Sequence, residues 1–352
     1  MNQLSYKLIR LEDSIMKKFL KNHKDYRVWI GIFIILLGSH GLLQGQRDRF
    51  DPGMVSRPSI GEVAPSRTIA PRTSSPRPGA SDLGLQRPVS VKRRGLDYFI
   101  GFDTKLYYSS NPSVVNRGSA GIGVLPAGIF QNTFHTGFRL GSYNWGSAAF
   151  SPYIGMSYNR LDHFGEDFLD VMDMNSLGLY MFGLVQFPSG WALRPGLSYV
   201  QDRESNDNER IYNELLPSFT LLKTFSLGRS TSLLDFSIGH HFTDSPSYQI
   251  VGNGDDLDRL ELSSRWTVIT NIGKLEISPY ARMAFLDYNQ GTMKDRLDFM
   301  REVGLNLEYP FNKYVSANFF ARYISRLSKG GPVNYDFERF DGGGGAGLKA
   351  KF

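Results

Sequence analysis

Asp235, Ser237, Gly239 and His241 occupy alternate positions in an apolar stretch, which puts them on one face of an extended strand. Serine, histidine and aspartate on a shared face are the residue types of nucleophilic hydrolysis. Their spacing speaks against it. Ser237 and His241 would lie about 13 Å apart along a strand, well beyond a hydrogen bond. A triad would need partners from neighbouring strands, and nothing in the sequence locates them. His163 stands in a polar link with Glu166, Asp167 and Asp170, where a hydrolase at a loop rim would need it, although acidic loops are more simply solvated. No catalytic residue is assigned on these grounds.

A larger set is made of opposite charges. Arg139, Arg194, Arg265, Arg282 and Arg322, with Glu261, Glu276, Glu302 and Glu308, all fall on the polar face of alternating stretches. If those faces converge, the charges either pair and fill a narrow interior or line a water-filled passage with basic and acidic tracks. Two acidic clusters lie in links. Asp162, Glu166, Asp167, Asp170 and Asp173 form one, and Asn253, Asp255, Asp256 and Asp258 form the other. The second lacks the glycine and distal glutamate of a calcium loop, so neither is taken as a metal site. The run Gly342 to Gly345 is followed by no helix and no Lys-Ser or Lys-Thr, so it is not a phosphate cradle. It is read as giving either flexibility before the closing strand or close approach to the first strand. No cofactor is implied.

The elements that carry these residues alternate with period two. Strands are expected near 97–108, 129–141, 148–160, 175–187, 191–201, 211–225, 232–243, 259–270, 275–287, 298–309, 315–326 and 343–352. Links after even-numbered strands are short, as in Pro188-Ser189-Gly190; those after odd-numbered strands are longer and more polar. One face is apolar, with Ile100, Phe102 and Leu106 or Leu234, Phe236 and Ile238, and the other carries the charges. Aromatics gather at the ends of the apolar face: Trp191 and Tyr309 at the short-turn rim, Tyr108, Tyr158, Tyr199 and Tyr323 at the loop rim. Two girdles around an apolar band suit a barrel that shows its apolar face to lipid. Pro152, Pro195, Pro217 and Pro279 fall inside strands, where each removes a ladder donor, and so predict bulges or breaks.

Composition divides the chain near residue 95. Residues 1–95 hold 17 Lys+Arg against 7 Asp+Glu, while 96–352 hold 23 against 27. The basic balance belongs to the leading part, so nucleic acid is not an expected partner. The apolar run 28–37 follows Lys17, Lys18, Lys21, Lys24 and Arg27 and ends at small residues; it is too short to span a bilayer and reads as a secretory signal peptide over 1–45. Met16 is a plausible true start. Residues 46–95 are rich in Pro, Arg, Ser and Gly and read as a disordered basic periplasmic linker, either a plain spacer or a tether whose arginines touch anionic lipid heads or a polyanionic wall polymer. There is no cysteine, which excludes disulfides, thiolate metal sites and cysteine nucleophiles.

At the other end, Phe352, Ala350, Leu348 and Ala346 share one strand face, opposite Lys351, Lys349, Gly347 and Gly345. This ending resembles the closing strand of bacterial outer-membrane β-barrels, whose terminal Phe with apolar residues at alternate positions is an assembly signal. The resemblance implies the barrel assembly machinery and outer-membrane lipid as partners. The expected fold is therefore all-β: a single transmembrane antiparallel barrel of about twelve strands over 96–352, with a disordered N-terminal extension. The expected function is a narrow porin-like channel for small polar solutes. The alternatives are a plugged structural barrel that anchors the periplasmic segment, and an outer-membrane hydrolase.

Overall fold

The computed structural model describes residues 97–112, 126–165, 172–244, 257–330 and 336–352. The signal peptide and linker expected over 1–45 and 46–95 lie outside them. The described chain forms strands β1 (Asp97–Ser109), β2 (Ala127–Arg139), β3 (Tyr143–Trp145), β4 (Ala148–Phe164), β5 (Met174–Gln186), β6 (Trp191–Glu204), β7 (Arg210–Leu227), β8 (Ser230–Asp244), β9 (Arg259–Ile272), β10 (Leu275–Tyr288), β11 (Leu297–Pro310), β12 (Val315–Lys329) and β13 (Phe337–Lys351). Each long strand pairs antiparallel with its neighbours in sequence; β1 pairs with β13, and β2 with β4, which closes the ring. Twelve strands are staves, and β3 is a short arm hydrogen-bonded to the start of β4.

Alternation along each stave separates two chemistries. Outward positions are apolar and exposed, as at Leu106 (59%), Met181 (51%) and Val303 (54%), which gain from lipid and would be unfavourable in water. Inward positions carry most of the polar and charged groups, together with buried apolar side chains such as Leu286, Met300 and Ile324 toward the loop rim and Leu184, Leu222 and Leu233 toward the short turns. Exposed aromatics mark both ends of the outer band, with Trp191, Tyr309 and Tyr314 at the short-turn rim and Tyr108, Tyr158 and Phe242 at the other. At the short-turn rim, Gly228 (φ 60) and Gly273 (φ 62) occupy the left-handed region and permit tight turns. The ends of the ring, β1 and β13, meet at this rim, where the Phe352 N–H donates to the Tyr98 carbonyl at 3.0 Å. Their rings stack 4.5 Å apart.

The four strand prolines all point outward and stop no strand. Pro195, Pro217 and Pro279 each coincide with a local gap in the ladder on one side, while pairing on the other side continues. The single register shift on the β6–β7 ladder falls at Asp202 and Arg203, away from any proline.

The closing strand differs from expectation. It begins at Phe337 rather than Gly343, so Gly342 to Gly345 lie inside it, paired with both β1 and β12. Four glycines carry no side-chain alternation, which is why the strand start is invisible in the sequence. Of the two roles expected of them, it is the close approach to the first strand that the structure shows. A Cβ at Gly343 would collide with the Leu106 carbonyl and Tyr107, and one at Gly344 would meet the Phe319 ring at 2.8 Å. Inside, Tyr107 and Phe320 meet edge to face across this strip at 5.4 Å. Glycine strips covered by neighbouring aromatics are a known way to hold sheet register.

This packing predicts that Gly343→Val destabilises the barrel by about 1–3 kcal/mol, the usual penalty for overpacking. Gly342→Ala, where the nearest atom is the movable Phe340 ring at 3.1 Å, should be milder. Urea unfolding of both variants in lipid vesicles checks the order.

Candidate functional site: the charged lumen

Three strands begin at the loop rim with arginine two residues before a carboxylate: Arg259-Leu-Glu261, Arg296-Leu-Asp298 and Arg339-Phe-Asp341. Spacing of two puts both members on the inward face of β9, β11 and β13, or just ahead of it, and the ladder sets each beside its neighbours' charges. Arg296 donates to Asp298 through Nε and Nη2 at 2.8 and 2.5 Å. Arg326 of β12 approaches the same carboxylate at 3.5 Å. Asp341 accepts from Arg339 at 2.5 Å and from Arg322 at 2.7 and 2.8 Å. Arg296, Arg326, Arg339, Asp298 and Asp341 are each no more than 4% exposed.

The belt continues across β7 to β11. His241 lies between two carboxylates, with Nδ1 2.9 Å from Glu214 and Nε2 3.3 Å from Glu261. Tyr212 donates to Glu214 at 2.6 Å, and Arg259 reaches it at 3.4 Å. Arg282 links Glu261 at 2.8 Å to Glu302 at 3.9 Å. Tyr280 donates to Glu302 at 2.7 Å, and the Arg265 guanidinium lies 4.1 Å from the Tyr280 ring centroid. Arg265 and Arg282 are direct cross-strand partners. Two like charges so placed repel, and the interleaved Glu261, Glu302 and Tyr280 offset this.

The facing part of the wall is mostly neutral. Thr133 donates to Asn159 at 2.5 Å, and Gln131 bonds both at 3.3 and 3.5 Å. Ser157 and Ser176 are buried nearby, while His135 Nδ1 lies 3.5 Å from Asp103. The lumen is thus charged on β7–β13 and hydrogen-bonding but largely uncharged on β2–β5.

Of the nine residues singled out from sequence, Arg265, Arg282, Arg322, Glu261 and Glu302 enter this belt. The other four lie nearer the short-turn rim. Arg139 pairs with Asp97 across β1–β2. Arg194 donates to Thr220 at 3.5 Å. Glu276 and Glu308 face each other across β10–β11, with Ser278 donating to Glu276 at 3.2 Å. Sequence reading missed Glu214, Arg259, Arg296, Asp298, Arg326, Arg339 and Asp341. The repeated Arg-x-carboxylate at strand starts was the available signal for most of them.

Among the described residues, the partners of the hydrolases considered from sequence are not brought together. Ser237 hydrogen-bonds Thr220 at 3.0 Å, and His241 is held by carboxylates instead. His163 belongs to the end of β4 rather than a loop, because the strand runs four residues further than its apolar pattern; there its Nδ1 lies 3.1 Å from Asp173. Glu166, Asp167 and Asp170 lie outside the described residues, as do Asn253, Asp255 and Asp256. Asp258 is occupied by the Thr243 N–H and hydroxyl, at 2.6 and 2.9 Å. Glu204, Asp207 and Glu209 bring carboxylate oxygens within 4.8 Å of one another at an exposed turn that sequence reading did not single out.

No family model matches the sequence, and no curated protein does. Solved structures with a similar fold include an outer-membrane channel from Pseudomonas putida, 9% identical over 73% of this chain and 96% of that one, TM-score 0.44. The NanC porin is 13% identical over 73% and 100%, TM-score 0.40. The beta domain of the Bordetella autotransporter BrkA is 13% identical over 73% and 99%, TM-score 0.39. These likenesses concern the fold alone. Ring closure and the lipid-facing apolar band, which belong to this chain itself, make it an outer-membrane β-barrel.

Proposed function

We propose that the barrel is a narrow porin-like channel for small polar solutes, with the belt on β7–β13 as its constriction. The observation that carries this reading is the belt's composition. Arginine–carboxylate pairs in a closed interior are no more stabilising than well-packed apolar residues of similar volume. A lumen that only had to be filled would gain nothing from so many charges, whereas a water-bearing path needs them. Opposed charged and neutral walls also suit passage of small ions and hydrogen-bonding solutes. The same reading takes Phe352, Ala350 and Leu348 as the signal to the barrel assembly machinery. It takes residues 46–95 as a basic periplasmic extension toward an anionic wall polymer.

A second reading has its own support. Arg296, Arg326, Arg339, Asp298 and Asp341 are almost fully buried at the loop end, as expected of a barrel sealed there and serving as a structural anchor.

Planar-bilayer recording separates the two. The channel reading expects discrete conductance steps from the refolded full chain, and their absence would establish the sealed barrel. Charge changes near the short-turn rim should then move selectivity. Arg194→Glu is expected to raise the cation-to-anion permeability ratio several-fold and Glu308→Lys to lower it. Reversal potentials in a salt gradient that match the parent protein's in both variants would remove these residues from the path.

A further inference from the structure

Three successive short turns repeat one pattern. Leu227-Gly228-Arg229 lies between β7 and β8, Ile272-Gly273-Lys274 between β9 and β10, and Phe311-Asn312-Lys313 between β11 and β12. Each sets a large apolar residue two positions before a cation at the barrel's edge. Ile272 is the most exposed large apolar side chain among the described residues at 65%, and Phe311 stands at 58%. Facing water, such tips would be unfavourable. Arg229, Lys274 and Lys313 are exposed beside them.

The cations lack a counter-charge in the protein. None of the short turns, at 140–147, 187–190, 227–230, 272–274 and 311–314, contains Asp or Glu. Lys223, Arg229, Lys274 and Lys313 pair with no carboxylate among the described residues, in contrast to the arginines of the charged belt. Lys223 lies 5.0 Å from the Trp191 ring centroid and donates to the Ser189 carbonyl at 2.6 Å, and Lys313 lies 4.6 Å from the Tyr314 ring centroid. Both rings are exposed at the short-turn rim, which holds these two ammonium groups at the level of the aromatic girdle. The opposite rim differs, since its links carry Asp173, Asp207, Glu209, Asp258 and Asp295.

We infer that this basic arc docks on the phosphate layer of the periplasmic leaflet and selects anionic phospholipids of the phosphatidylglycerol type. Short turns face the periplasm in barrels of this class, so that leaflet is the surface they meet. The apolar tips decide between a lipid and an aqueous polyanion. Leu227, Ile272 and Phe311 gain only where hydrocarbon is within reach, and a cation two residues on then meets phosphate at the bilayer boundary. A zwitterionic headgroup brings its own ammonium to that phosphate, whereas a glycerol headgroup leaves the negative charge open to Lys and Arg. This docking requires nothing of the lumen.

Spin-label electron paramagnetic resonance reads the preference. The refolded full chain in phosphatidylcholine bilayers receives spin-labelled phosphatidylglycerol or phosphatidylcholine, and the motionally restricted fractions give the relative association. Phosphatidylglycerol should associate roughly threefold more strongly. That ratio should fall to parity in about 1 M NaCl, where charges are screened within about 3 Å. Combining Arg229→Gln, Lys274→Gln and Lys313→Gln should bring it near parity at low salt, and combining Arg160→Gln, Arg203→Gln and Arg210→Gln at the opposite rim should leave it unchanged. Folding is checked by heat-modifiable migration in SDS gels, and the salt dependence of the parent protein tests the docking even if a combined variant fails to fold. Equal association of the two lipids with the parent, a ratio that survives high salt, or a loss caused by the opposite-rim set would overturn it. So would an unchanged ratio in the short-turn variant accompanied by lost co-sedimentation with wall sacculi, which would assign the cations to a wall polymer.

Discussion

Every backbone N–H and C=O of a chain inside a bilayer must find its partner within the chain, because lipid offers none. For strands, that requirement is met only by closing the sheet. Everything else here depends on the contact between β1 and β13, which joins the first and last staves in unbroken register from Phe99·Lys351 to Ser109·Asp341. The glycine strip within β13 lets that contact be made closely. The stacked Tyr98 and Phe352 rings finish it at the rim.

Closure also decides the electrostatics. Once the ring is shut, one face of every stave looks into a confined space, where charged groups share the interior with two buried apolar clusters. Charged groups in that space are stable only when paired and hydrogen-bonded. The belt meets this condition by sharing: Asp341 serves two arginines, Glu214 serves a histidine, an arginine and a tyrosine, and Arg282 joins two glutamates. Such sharing needs neighbours from several strands, so the belt exists only in the closed state. The densest cluster of charges accordingly lies on β7–β13 toward the loop rim, with Tyr212 and Tyr280 bonded into it.

Much of this was legible in the residues. Alternation at Ile100, Phe102 and Leu106, alternating link lengths, and the two aromatic girdles each state a local rule that neighbouring residues obey regardless of what lies across the barrel. The start of the last strand was not legible, since glycines alternate with nothing. His163 reads as a loop residue because it stands with Asp162 and further acidic residues past the apolar alternation, whereas β4 runs on to Phe164. The strand prolines read as warnings, yet their outward position and one-sided gaps make them harmless to a ladder supported on the other side.

What the sequence by itself determined is the barrel, its approximate strand count, and which face of each strand is polar, because period-two alternation is a property of neighbours along the chain. What only the tertiary structure decided is which charge meets which. Arg265 with Tyr280, His241 between Glu214 and Glu261, and Tyr180 lying over Gly155 all depend on register between strands. A shift of one residue in that register would move every one of these side chains to the other face.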